Sequence, residues 1–332
     1  MTNRPSVLFL YLDEKIPSSR IRVIDLQQLI VDRGIECTLK KFPRSILSKV
    51  NLLAELGNFD VIFVQKKMLG YIESSLLSFF SHKLVFDFDD AIYHRNSETN
   101  YVSYQRKRKF RSIVRRANLV IAGNYVLKKK AMEYNDNVIV LPSPVPVLDV
   151  ERRDYKVPSD VFVIGWVGGK QNLNQITLIT KELQRLSKEF DIKVHVISDG
   201  ELDITGVNVV NIPWSKNVQR TEIAKFDVGI MPLFDNPWTQ GKCGYKALQY
   251  MASAIPAICS DVGGNADLID QGIDGFKAEE PSDFYKYIKQ LISDESLRKR
   301  IGNNGREKVK HCCSNEVIAN RVSSLIFGLY EE

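Results

Sequence analysis

Histidine and cysteine are scarce in this 332-residue chain, with four and five copies. Cys37, Cys243 and Cys259 stand alone, and Cys312 and Cys313 are adjacent. This odd set without disulfide or zinc spacing points to free thiols in a reducing compartment. His311-Cys312-Cys313 lacks a second ligand pair, so no structural metal is expected. No apolar run approaches the ~18 residues of a membrane-spanning helix. The apolar-rich stretch 7–12 is too short for a signal-peptide core and has no small-residue cleavage site after it. A cytoplasmic location is therefore expected. With 12 Pro and 19 Gly the chain is neither collagenous nor low in complexity, and 44% hydrophobic residues exclude wholesale disorder.

Acidic residues are missing altogether between Glu98 and Glu133. Residues 1–150 carry 23 Lys/Arg and 15 Asp/Glu, a net +8; the rest carries 23 and 25, a net −2. The acid-free stretch holds Arg106, Lys107, Arg108, Lys109, Arg111, Arg115 and Arg116, then Lys128, Lys129 and Lys130. Phe110, Ile113, Val114 and Ala117 supply the apolar stripe of an amphipathic helix, with the cations projecting outward. Such a face is either simply solvated or meets an anionic partner. The segment lacks the interleaved aromatics of a single-strand RNA platform, so the inner face of an anionic membrane is the expected partner and nucleic acid is not.

Strand-like and helix-like segments alternate in both halves. Strands are expected near 7–11, 37–39, 61–64, 84–88, 119–122 and 138–141, and again near 161–167, 193–197, 208–210, 228–231 and 257–259. Long helices are expected over 20–33 and 173–190, and others over 245–253, 283–293, 297–310 and 316–330. Alternate prolines at Pro142, Pro144 and Pro146 interrupt the rhythm as an extended linker, followed by the polar segment 149–160. The fold class is α/β, with two Rossmann-like domains facing each other across a cleft.

The segment 227–265 concentrates the chemistry as strand, glycine turn, helix, strand and glycine turn. Gly241 and Gly244 bracket a helix start and let backbone approach a ligand. Lys242, Lys246 and Gln249 share one helix face if the helix extends back to Lys242, which suits a diphosphate with a sugar attached.

This segment, with 272–276, resembles the carboxyl-terminal half of GT-B glycosyltransferases, specifically the large retaining family 4. Ser198-Asp199-Gly200 is similar to the family's Gly-Asp-Gly turn, and 164–169 to the strand and phosphate loop that open its second domain. The segment 140–146 is similar to its interdomain segment; 19–22 and 86–91 look like a subgroup of these enzymes. The resemblance implies an acceptor domain over 1–148 and a nucleotide-sugar domain over 149–315. It also implies a last helix, 316–332, packing back on the first domain. The implied activity is transfer of a sugar, with retention, from a UDP- or GDP-type donor to a hydroxyl of a glycan or lipid-linked acceptor, in envelope polysaccharide or glycolipid assembly. No metal or other cofactor is implied. The donor would meet Gly168, Gly169, Lys170, Asp199, Lys242, Cys243, Gly244, Tyr245, Lys246 and Gln249, and a phosphate or the acceptor would meet Arg20 and Arg22.

The family's two glutamates would fall on Gly241 and Gln249, neither of them acidic. A non-catalytic binding protein on the same fold is therefore a second reading. Asp87-Phe88-Asp89-Asp90 has three further readings: a metal-binding Asp-x-Asp of a GT-A enzyme, a phosphatase nucleophile, or a loop at the lip of the first GT-B domain. On the last, Asp90, Asp89 or His94 would orient or deprotonate the acceptor hydroxyl.

Overall fold

The computed structural model describes residues 4–94, 103–155 and 161–332. The residues just after Glu98 and the far end of the expected connector 149–160 lie outside it. The chain divides into two α/β units. The first comprises Met1–Pro144, Asn236–Cys243 and Asn315–Glu332; the second comprises Val145–Asp235 and Gly244–Ser314.

The first unit is built on β1 (Ser6–Tyr11), β2 (Glu36–Lys41), β3 (Val61–Gln65), β4 (Lys83–Phe88), β5 (Leu119–Ala122) and β6 (Val138–Val140). They form one parallel sheet in the order β2-β1-β3-β4-β5-β6. Near-continuous apolar runs in β1, β3, β4 and β5 bury both faces of the sheet's centre, as a parallel sheet requires. Leu8, Leu10, Ile62, Val64, Phe86 and Phe88 face one core, beneath helices Ile46–Glu55, Tyr71–Phe80, Tyr104–Val114 and Tyr125–Ala131. Val7, Phe9, Val61, Phe63 and Val85 face the other, where Ile318, Ala319, Val322 and Ile326 of the last helix, Asn315–Glu331, pack.

The second unit repeats the design with β7 (Phe162–Val167), β8 (Ile192–Ser198), β9 (Val209–Pro213), β10 (Val228–Met231), β11 (Ala257–Ser260) and β12 (Phe276–Ala278). Its parallel order is β12-β11-β10-β7-β8-β9. Two doubly wound parallel sheets are what the GT-B resemblance implies. In each, the connections reverse direction beside the first strand, between β1 and β3 and between β7 and β10. Ligands of open α/β sheets bind at the carboxyl ends of strands beside such points.

Three sequence expectations change. The helix over 20–33 is broken into Pro17–Arg22, a 3-10 turn Ile24–Leu26 and Gln27–Val31, with Val23 out of helical geometry between the first two pieces. The break turns Arg22 inward. The helix over 173–190 is 3-10 from Lys170 to Ile179 and α only over Thr180–Glu189. The unit boundaries are also more interleaved than a single changeover near 148: the chain leaves the second unit for Asn236–Cys243 and re-enters it at Gly244. No described helix is long and apolar enough to cross a membrane.

Candidate functional site

In the first unit, the loops after β1, β3 and β4 bring charged side chains together. Arg22 and Asp87 are almost fully buried and pair through two parallel contacts, with Nε 2.9 Å from Oδ2 and Nη2 on Oδ1. Arg22 Nη2 also donates to the Leu141 carbonyl at 3.2 Å. Burial pushes the Asp87 carboxyl up while Arg22 pulls it back, and the carboxylate keeps the guanidinium protonated.

Lys66 follows β3 directly and adopts φ 60, an uncommon conformation for a side chain-bearing residue. Its ammonium lies 2.9 Å from Asp89 Oδ1 and pairs with Asp90 Oδ2. Burial opposes its charge, but Asp89 and Asp90 more than restore it. Lys242 Nζ reaches the other Asp90 oxygen at 3.0 Å. Burial alone would raise Asp90; Lys242 and Lys66 outweigh it and hold the carboxyl below its usual range.

The Asn236–Cys243 segment sits on this loop at backbone distance. Asn124 Nδ2 donates to the Lys242 carbonyl at 2.9 Å, and Cys243 Sγ to the Asp89 carbonyl at 3.1 Å. A Cβ on Gly241 would stand 2.5 Å from the Ala91 nitrogen, and one on Gly123 would stand 2.4 Å from Cys243 Sγ. A glutamate at 241 is therefore excluded by the backbone it would strike. Burial first, then Asp89 and Asp90, raise the Cys243 thiol well above its ordinary value, so it stays neutral.

The second unit presents a different surface. After β7 the chain turns through Gly168 and Gly169, and Lys170 N–H donates to Asp199 Oδ1 at 2.6 Å. A Cβ on Gly168 would meet Trp166 at 2.6 Å and Lys246 at 2.8 Å. Lys246 Nζ lies 5.2 Å above the Trp166 ring. Helix Tyr245–Ala252 starts at Gly244, whose φ of 68 suits glycine, and from Ala247 onward it is buried. Tyr250 stands where β7 and β10 part. Its hydroxyl accepts from Val167 N–H at 3.1 Å and donates to the Ile230 carbonyl at 3.2 Å. Beside Gly244, Asn265 donates to the Ser260 carbonyl at 3.2 Å, and its buried Oδ1 has no hydrogen-bond partner among the described residues.

The sequence-derived residues thus separate. Gly168, Gly169, Lys170, Asp199, Gly244, Tyr245, Lys246 and Gln249 fall in the second unit; Lys242 and Cys243 fall in the first. Lys242 is extended rather than helical, so it does not continue the face of Lys246 and Gln249, and its ammonium holds Asp90. Gln249 is buried, not on a solvent face. Arg22 is committed to Asp87, whereas Arg20 is half-buried, 4.0 Å from Asp25. His94 leans on Tyr93 with ring centroids 4.8 Å apart, and burial, then Lys107 and Lys130, lower its pKa and favour neutral imidazole. An Asp-x-Asp metal site fits poorly, because Asp87, Asp89 and Asp90 are already neutralised by Arg22, Lys66 and Lys242. Sequence reasoning missed Lys66, Asn124 and Tyr250. Lys66 and Asn124 share a signal of position, since they follow the ends of β3 and β5, whereas Tyr250 is the bulky residue that makes Gly229 necessary, 2.2 Å from the Cβ site there.

Residues 161–294 match the family described as Glycosyl transferases group 1. The turn from β7 through Gly168 and Gly169 and the helix Tyr245–Ala252 lie inside the match. The chain is 28% identical over 185 residues to a capsular polysaccharide biosynthesis glycosyltransferase, CapM of Staphylococcus aureus, covering 53% of this chain and 48% of that one. It is 30% identical over 128 residues to an uncharacterized glycosyltransferase of Methanocaldococcus jannaschii, 36% of each chain. It therefore spans about half or less of these curated relatives. The fold as a whole is similar to that of HepE of Anabaena, solved in complex with UDP and glucose, with a TM-score of 0.74, 14% identity, and coverage of 98% of this chain and 100% of that one.

Proposed function

We propose that this chain is a glycosyltransferase that moves a sugar from a nucleoside diphosphate sugar to a hydroxyl acceptor. The observation that carries the reading is the group 1 match falling on a unit whose glycine turn, helix start and Lys246 converge beside a strand-order reversal. Donor preference for UDP is in keeping with the UDP bound by HepE, and a role in envelope polysaccharide or glycolipid assembly with the description of CapM. Retention of configuration goes with the family 4 resemblance.

In this reading the second unit holds the donor. Gly168 and Gly169 admit the diphosphate to backbone N–H groups, and the amino end of helix Tyr245–Ala252 with Lys246 offsets its charge. As the sugar–phosphate bond breaks, negative charge grows on the leaving diphosphate, and these fixed dipoles and the ammonium stabilise it. In the first unit, Asp90 is a weak base because two ammonium groups share it; its part is to hold Lys66 and Lys242. His94, kept neutral, is the better proton acceptor for the incoming hydroxyl.

The test is incubation with UDP- and GDP-sugars and hydroxyl acceptors, reading release of nucleoside diphosphate and the anomeric proton of the product. Acceptor-dependent release with an unchanged anomeric configuration is expected. Donor bound without turnover across the acceptor series would instead establish a binding protein.

A further inference from the structure

The outer layer of the first unit is unusually apolar for a water-facing surface. Helices Ile46–Glu55, Tyr71–Phe80 and Tyr104–Val114 cover one face of the sheet side by side. Lys49 bonds Glu73 at 2.6 Å between the first two, and Ser74 meets Ser112 at 2.6 Å between the second and third. Their inward residues, among them Leu52, Leu77 and Phe110, enter the core. Outward stand Ile46, Val50, Ile72, Leu76, Phe79 and Phe80, with Ile46 82%, Ile72 73% and Phe79 81% exposed. Positions 72, 76, 79 and 80 repeat at helical spacing, so they form a ridge rather than scattered exceptions.

Among the described residues, the unpaired charge beside this ridge has one sign. Arg108, Arg111 and Arg115 are exposed on and just after the third helix, and the Arg116 guanidinium lies 4.4 Å over the Tyr71 ring. The acids on these helices, Glu55 and Glu73, are each paired with a lysine, Lys40 and Lys49. An apolar ridge next to arginines with no acidic partner among the described residues matches the boundary of a bilayer, with acyl chains below and phosphate groups above. A second copy of the same patch would set arginine against arginine across a two-fold axis, which disfavours self-association.

We infer that this three-helix face is a docking surface for an anionic lipid bilayer, with Ile72, Phe79 and their neighbours entering the interface and Arg108, Arg111 and Arg115 binding phosphate headgroups. The inference is independent of the glycosyl transfer reading, and its test measures no turnover.

The full chain is floated with vesicles of phosphatidylcholine alone and of phosphatidylcholine with phosphatidylglycerol. Binding is expected only to the second. The pair Ile72→Ser and Phe79→Ser, and separately Arg108→Glu, Arg111→Glu and Arg115→Glu together, should each lower it by at least about tenfold without changing thermal unfolding, since these side chains lie outside the core. In a Phe79→Trp variant, brominated lipid should quench the indole. Absence of binding, equal binding to both vesicles, or wild-type binding by the Ile72→Ser, Phe79→Ser pair would overturn the inference. So would retention on an RNA oligomer without vesicle binding, or a dimer in solution that the same pair dissolves.

Discussion

The two units share one design and use the place where the strand order reverses in opposite ways. Beside β1 and β3, the first unit fills it with ion pairs: Arg22 on Asp87, and Lys66 and Lys242 on Asp89 and Asp90. Beside β7 and β10, the second unit leaves glycine backbone, an indole and one phenol, with Lys246 over the ring. A charge network saturated from within binds no further ion cheaply, because each partner already offsets the other's lost hydration. Glycine turns and a helix start leave a phosphate's partners in place. In the proposed reading the diphosphate therefore goes to the second unit, and the first keeps its charged floor.

Breaking the floor should have the largest effect. Arg22→Ala leaves Asp87 buried and unpaired, so denaturant unfolding should show a loss of about 3–5 kcal/mol. A loss below about 1 kcal/mol would mean that the pair carries little of the first unit's order. Gly241→Ala comes next. Its methyl must displace the Ala91 backbone, which costs about 1–3 kcal/mol and unseats the Asn236–Cys243 segment, as proteolysis within that segment would report. In the second unit, Tyr250→Phe removes both bonds at the parting of β7 and β10. A loss of about 1–3 kcal/mol is expected, with Val167 N–H and the Ile230 carbonyl left unpaired.

A smaller effect separates the units by pH. The Asp90 carboxyl is held below its unfolded value, so its contribution is complete above the ordinary carboxylate pKa of about 3.9 and is lost as pH falls through the lower folded value. Unfolding free energies of wild type and Asp90→Asn should differ at neutral pH and converge in strong acid. A gap that persists there would assign the effect to packing rather than charge.

Much of the fold was legible because parallel strands write themselves as apolar runs: β5 and β10 match the expected segments residue for residue. β12 was not, since Phe276–Ala278 is too short a run to stand out after its glycine turn. The candidate site was legible in part. Glycine turns have a local signature, so the turns at Gly168, Gly169 and Gly244 could be read from the sequence. Partnership has none: nothing in the spacing of Lys242 and Lys246 says that the first turns to Asp90, 152 residues away, while the second stays over Trp166. The same holds for Lys66, whose importance arises only when β3 and β4 lie side by side.

The most direct test of the contrast is calorimetric titration of UDP and GDP into wild type, Lys246→Ala and Lys242→Ala. Loss of a charge-assisted phosphate contact should weaken binding to Lys246→Ala about tenfold, while Lys242→Ala should bind within about twofold of wild type. Binding that survives Lys246→Ala and fails in Lys242→Ala would place the diphosphate on the charged floor of the first unit and contradict the account.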